Sequence, residues 1–227
     1  MPSRRVRSQT LILLLVAGLA LIILATSLAV SHLLRERETE SWRYQMANMS
    51  LLLAGQLEQS LASARIAMDS IADRVEALKV RDAAELRTKA GVPELHQMLR
   101  DKVSGLPQVD VATIVASNGD VLNFTRSFPP PPINLADRDY FQAQKEKPDL
   151  GLFVSIPVRN KGNGKWVFYL SRRLNDAHGN FIGLVLVGLS VEQLTRHFAQ
   201  LGESLGEGAS INFYRRDFAL MARWPWR

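Results

Sequence analysis

Val109-Asp110-Val111-Ala112-Thr113-Ile114-Val115-Ala116-Ser117-Asn118-Gly119-Asp120-Val121-Leu122-Asn123-Phe124-Thr125-Arg126 reads as two strands around one tight turn. β-branched and apolar residues fill both arms, and Asn118-Gly119-Asp120 supplies the residue types that a short hairpin turn needs. The strand period continues downstream. Gly151 to Val158 alternates, with Leu152, Val154, Ile156 and Val158 on one face. Lys161-Gly162-Asn163-Gly164 reads as a hairpin turn, Trp166 to Leu174 as the next strand, and Asp176-Ala177-His178-Gly179-Asn180 as another turn. Phe181 to Ser190 is apolar on both faces, so it is expected to be central and covered on both sides. Ile211 to Arg215 and Phe218 to Arg223 read as a further hairpin turning at Arg216-Asp217.

Helical signals flank and interrupt these strands. Residues 41 to about 80 carry Leu53, Leu57, Leu61, Ala64, Met68, Ile71, Val75 and Leu78 at spacings of four and three, the stripe of a long amphipathic helix. That stripe fits an ordinary core-facing helix and also fits parallel dimer contact. Pro93 to about Val103 reads as a shorter helix, opened by a proline in its first turn and stopped by Gly105 and Pro107. Phe128-Pro129-Pro130-Pro131-Pro132 must be a loop. Asp137 to about Lys145 reads as a short helix with Asp137 as its cap, and Val191 to about Leu201 as another. The expected fold is therefore α+β, an antiparallel sheet with helices. One sheet face takes the long helix, and the proline loop with the 137–145 helix roofs the other. A roofed sheet is a natural small-molecule pocket.

Upstream, Leu11 to Val30 holds no charge in twenty residues. At about 1.5 Å rise per residue it spans the roughly 30 Å of membrane hydrocarbon, and it must be helical there because lipid offers no partner to a free amide. Arg4, Arg5 and Arg7 precede it with no acidic residue, whereas the segment after it, from Arg35 to Glu40, mixes both signs. The positive-inside rule then places Met1 in the cytoplasm and residue 35 onward outside. A cleaved signal peptide is a weaker reading, because its apolar region is usually shorter. Ser3-Arg4-Arg5 matches a twin-arginine signal only faintly.

Composition removes other functions. Of the net charge of +6, three charges belong to those N-terminal arginines, which leaves 25 basic against 22 acidic residues from position 35 onward. That balance does not suit a nucleic-acid binder. With no cysteine, disulfides, thiolate metal sites and cysteine nucleophiles are excluded. The four histidines (His32, His96, His178 and His197) sit in no metal-ligand spacing. Neither a cofactor nor a metal is expected, and the chain is read as not an enzyme.

Three segments carry a resemblance. Ile114-Val115-Ala116-Ser117-Asn118-Gly119-Asp120-Val121 resembles the first hairpin of extracytoplasmic Cache domains, the PAS-like sensor modules of bacterial receptors. Asp137-Arg138-Asp139-Tyr140-Phe141 is similar to their "DR-x-YF" segment. Leu170-Ser171-Arg172-Arg173-Leu174, with Asp176, Gly179, Phe181 and Gly183, is similar to their following strand pair. The resemblance covers about residues 36 to 227. It implies a double Cache receptor in which residues 1–10 are cytoplasmic, 11–34 span the membrane, and 35–105 form the long helix and a connector. Residues 106–203 would be the PAS-like module and 204–227 the start of a second, incomplete one. The output domain such receptors carry, a diguanylate cyclase or histidine kinase for example, has no trace in this chain.

The implied function is sensing of a small polar metabolite, a carboxylate or an amino acid. On strand 166–174, Trp166, Phe168, Leu170 and Arg172 share one face, and Val167, Tyr169, Ser171 and Arg173 the other. The resemblance favours Arg172 as ligand anchor, because a guanidinium fork matches a carboxylate. A structural pairing of Arg172 with Asp139 or Asp176 stays open. Tyr140 closes the pocket from the roof, Asp139 accepts a ligand amine, and Arg138, Tyr169 and Ser155 complete the candidate set. Simple packing of Tyr140 and Phe141 onto the sheet is the alternative. Expected partners are the ligand, a bacterial inner membrane and a second copy paired through the long helix. The competing function is a bitopic envelope assembly or scaffold protein without a ligand pocket. A cavity between Tyr140 and Arg172 would favour the sensor, and solid packing the scaffold.

Overall fold

The computed structural model describes residues 3–206 and 208–225. The cytoplasmic placement read for Met1 lies outside the described residues, as do Glu207, Trp226 and Arg227 of the C-terminal segment. The chain divides into two units, residues 1–57 and 58–227.

Helix α1 runs Ser3–Glu76. In the first unit its apolar stretch is exposed all round, from Leu14 to Leu34. By length and composition this helix can cross a membrane. Thr26 donates its hydroxyl to the carbonyls of Ile22 and Ile23, so it brings no unsatisfied polar group to that surface.

The second unit is built on one antiparallel sheet. Its strands are β1 (Val109–Ala116), β2 (Val121–Phe124), β3 (Phe153–Val154), β4 (Val158–Arg159), β5 (Trp166–Asn175) and β6 (Phe181–Ser190). The order is β2-β1-β6-β5-β3, with β4 also on the free side of β5. β6 lies in the middle and is buried along nine of its ten residues, which is what its two-sided apolarity requires. The β1–β2 turn is closed by Gly119 at φ 92°, where a Cβ would stand 2.6 Å from the backbone nitrogen of Ala136. Only glycine fits both the angle and the space.

One face carries helices. Within the second unit, α1 buries Ala64, Met68, Ile71 and Val75, the stripe expected from its spacing. Helices α2 (Ala83–Ala90) and α3 (Pro93–Val103) share this side. Asn123 on β2 donates to the carbonyls of Ala90 and Val92 at 3.0 and 3.1 Å. The opposite face carries α4 (Asp139–Glu146) and the 133–135 segment. The proline loop expected to share this roof instead sets Phe128 5.7 Å from His96 of α3. After β6 come α5 (Val191–Gly202) and the hairpin β7 (Ile211–Tyr214) and β8 (Leu220–Trp224).

Four more details depart from the sequence expectations. The strand expected over Gly151–Val158 breaks at Ser155–Pro157 into β3 and β4, because Pro157 has no amide to donate. The Ser155 hydroxyl accepts from Tyr169 N–H at 2.8 Å instead, and Ile156 is exposed rather than on the core face. Asp137 does not cap α4. The helix starts two residues later, and Asp137 pairs with Lys161 at 2.7 Å. Phe218 lies in the last turn at φ 63°, not in a strand. Helix α2 was not anticipated, although Asp82 and Glu85 have the spacing of a capping pair, and Asp82 accepts the Glu85 amide at 2.8 Å.

Candidate ligand site

The roofed face of the sheet holds a continuous apolar layer. Val111, Val115, Val167, Tyr169, Leu184 and Leu186 form its floor, and Leu135, Tyr140 and Phe141 press down on it. Fully burying a side chain of this size stabilises by about 1.5–3 kcal/mol. The Tyr140 and Tyr169 rings lie 4.9 Å apart, tilted by 49°. Gly188 makes room for this stack, since a Cβ there would meet Tyr169 Cε1 at 2.9 Å. Burial pushes both phenols well above the ordinary tyrosine pKa, Tyr140 with a contribution from Tyr169 and Tyr169 with one from Asp110. Among the described residues, the Tyr140 hydroxyl has no hydrogen-bond partner, and neither has Arg138 Nε.

A polar rim closes one end of this layer. Arg126 Nη2 donates to Asp110, Asn160 Nδ2 donates to the same carboxylate at 3.1 Å, and Asn163 Nδ2 does so at 3.3 Å. Arg126 and Asp110 are 24% and 12% exposed, so the pair is largely out of water. The Lys161–Asp137 contact ties the same loop to the roof, and the Lys161 ammonium holds the Asp137 carboxyl below the usual aspartate range. Between rim and stack, against Thr113, Phe124, Ile133 and Tyr169, lies a cavity of about 20 Å³. That is room for about one water molecule.

The sequence candidates divide between the two sheet faces. Tyr140, Asp139, Arg138, Tyr169 and Ser155 gather around the roof. Asp139 accepts the amides of Tyr140 at 2.8 Å and Ile156 at 3.3 Å. Arg138 donates to the Arg159 carbonyl at 2.8 Å. Ser155 exchanges hydrogen bonds with the backbone of Tyr169. Arg172 projects from the other face, where it meets Asp69 at 3.2 Å, Asp73 at 3.1 Å and Glu76 at 3.2 Å on α1. The sheet therefore separates Arg172 from Tyr140, and neither Asp139 nor Asp176 pairs with it. On β5 it is Arg173 that faces the roof side, with its guanidinium 4.8 Å over the Phe181 ring.

Asp110, Arg126 and Asn160 were not singled out from sequence. Strict alternation puts Asp110 on the face opposite Val111, but the β1–β6 register shifts between Val109 and Val111, and a bulge re-aims side chains at that point. The glycine signal for the stack was present, because a glycine inside an apolar strand marks a close approach. Among the described residues, no group of three or more histidine or acidic side chains comes together to hold a metal ion.

No protein-family model matches this chain, and no curated protein matches it significantly. Solved structures do. The extracellular domain of the candidate histidine kinase rpHK1S-Z16 is 25% identical, with a TM-score of 0.53 over 74% of this chain and 68% of its own. The ligand-binding domain of the Pseudomonas aeruginosa PAO1 amino acid chemoreceptor PctC, solved in complex with GABA, is 16% identical, with a TM-score of 0.52 over 78% of this chain and 72% of its own. The periplasmic sensory domain of the Campylobacter jejuni chemoreceptor Tlp1 is 9% identical, with a TM-score of 0.55 over 76% and 69%. At these identities the two chemoreceptors share the fold alone. The three are an extracellular, a ligand-binding and a periplasmic sensory domain rather than catalytic ones, in agreement with the non-enzymatic reading of the sequence.

Proposed function

We propose that this chain is the extracytoplasmic input portion of a bacterial inner-membrane receptor, built on a double Cache plan, and that it binds a small polar metabolite between roof and sheet. A carboxylate or an amino acid is the class that fits. The observation carrying this reading is the Tyr140 hydroxyl, buried at the stack between α4 and the sheet with no partner among the described residues. A buried polar atom without a partner costs about 1–3 kcal/mol, and a ligand that supplies the missing bond recovers it. The largely buried Asp110–Arg126 pair beside the cavity offers both signs to a zwitterion. Tyr169 lines that cavity, and Tyr140, Asp139, Arg138 and Ser155 would reach the ligand only once the roof lifts. The small cavity beside the stack is then the unliganded state, and binding needs the roof to lift. Helix α1 anchors the module, with Met1 inside and residue 35 onward outside, and pairs two copies.

The test is a thermal-shift screen of the full chain in detergent micelles against amino acids and small carboxylates. A stabilising compound whose effect is lost in Arg126→Gln supports the site. A compound whose effect survives unchanged in Arg126→Gln and Tyr169→Phe removes the site from this face. The scaffold reading is favoured by one observation, the near-complete packing under the roof. It expects no stabilising compound from either class.

A further inference from the structure

Successive residues of a strand face opposite ways, and on β5 two successive residues are arginines with partners in opposite layers. Arg172 binds three carboxylates of α1, at Asp69, Asp73 and Glu76. Their spacings of four and three put them on one helix face. Arg173 Nη1 donates to the carbonyls of Gln144 at 2.5 Å and Lys145 at 2.9 Å, in the last turn of α4, where the helix dipole favours a cation. Gln144 strengthens the roof attachment at the same level. It is fully buried and donates to the Ser171 carbonyl at 2.9 Å and to the Ser171 hydroxyl at 3.2 Å. Burial opposes the charge on Arg172, but Glu76, Asp69 and Asp73 outweigh it and raise its pKa.

Resting on the sensor reading above, we propose that Arg172 and Arg173 form a two-sided clamp through which β5 couples the roof helix to the last turns of α1. β5 is paired with β6 from Val167 to Asn175, so it moves as a stiff strip. A displacement of α4 acts on residues 171–173 through Gln144 and Arg173. Arg172 passes it to Asp69, Asp73 and Glu76. The contacts are partly exposed ion pairs, 31% for Arg172 against 36–68% for its three partners. Such bonds are weak enough individually to exchange during a switch. Lysine cannot replace Arg172, because one ammonium lacks the fork that spans three acceptors.

The experiment is hydrogen–deuterium exchange on the full chain in detergent micelles, with Arg173→Gln, Arg172→Gln and the double variant. It needs no ligand, so the clamp can fail while the binding site stands, and the reverse. Releasing the roof with Arg173→Gln is expected to speed exchange in α4 and, by about threefold, in residues 69–76. In the Arg172→Gln background the second effect disappears, which is the non-additivity of coupled sites. The clamp is overturned if Arg173→Gln leaves residues 69–76 unchanged, or accelerates them equally in both backgrounds. Unchanged protection of β1 and β6 certifies the fold. If Arg172→Gln loses that protection, Asp73→Asn, which removes one exposed acceptor, takes its place with the same expected outcomes.

Discussion

Tyr140 is fully buried, yet its hydroxyl has no partner among the described residues. Tyr140→Phe removes that oxygen and keeps the ring on Tyr169, so it is expected to stabilise the unliganded chain by about 1 kcal/mol, seen as a rise in Tm. A loss of stability of similar size would mean that the hydroxyl is bonded after all. The raised phenol pKa values set a pH dependence of definite sign. Tyr140 and Tyr169 are held neutral in the folded state, so their contribution is complete below the ordinary tyrosine value of 10. It is lost as pH rises through the higher folded values. Two of the four tyrosines should therefore stay silent in a phenolate absorbance titration until the chain unfolds. Two additional phenolates appearing in the folded chain near pH 10 would show that the stack is open to solvent. Both tyrosines stand out in the sequence, Tyr140 in its motif and Tyr169 on its strand. Arg172 joined them through the resemblance alone, although strand alternation already sets it on the face opposite Tyr169.

At the scale of elements, the sheet is set by close contacts that only small residues permit. A Cβ on Gly183 would stand 2.3 Å from the Val115 carbonyl oxygen and 2.8 Å from Leu86 Cδ2. Gly183→Ala must push β6 from β1 or displace α2, and it is expected to cost about 1–3 kcal/mol, measured by denaturant unfolding. A cost under a few tenths would show that β1 and β6 separate easily there. Strands β1, β2, β5 and β6, the hairpin turns, and helices α3 and α5 were legible because periodicity and turn residues agreed. The β3–β4 segment was not. Leu152, Val154, Ile156 and Val158 alternate as a strand should, but Pro157 cannot join the ladder and Ile156 is turned outward. Helix α2 was hidden by its length, since eight residues give a period little room to show.

Across the whole molecule, the sequence already contained an apolar helix, an α+β module and a sensor resemblance, and the structural neighbours share that module's fold. What sequence could not convey is how tightly the roof closes, because cavity volume depends on how Phe124, Ile133 and Leu135 pack against Val111 and Tyr169 from other strands. The claim that ligand enters there is tested most directly by fluorine NMR on the full chain labelled with 3-fluorotyrosine, its four resonances assigned by single Tyr→Phe variants. On addition of the twenty amino acids and a set of small carboxylates, the Tyr140 and Tyr169 resonances are expected to move together, while those of Tyr44 and Tyr214 stay in place. Movement confined to Tyr44 or Tyr214, or no movement of any of the four in a folded chain, would contradict a ligand site beneath the roof.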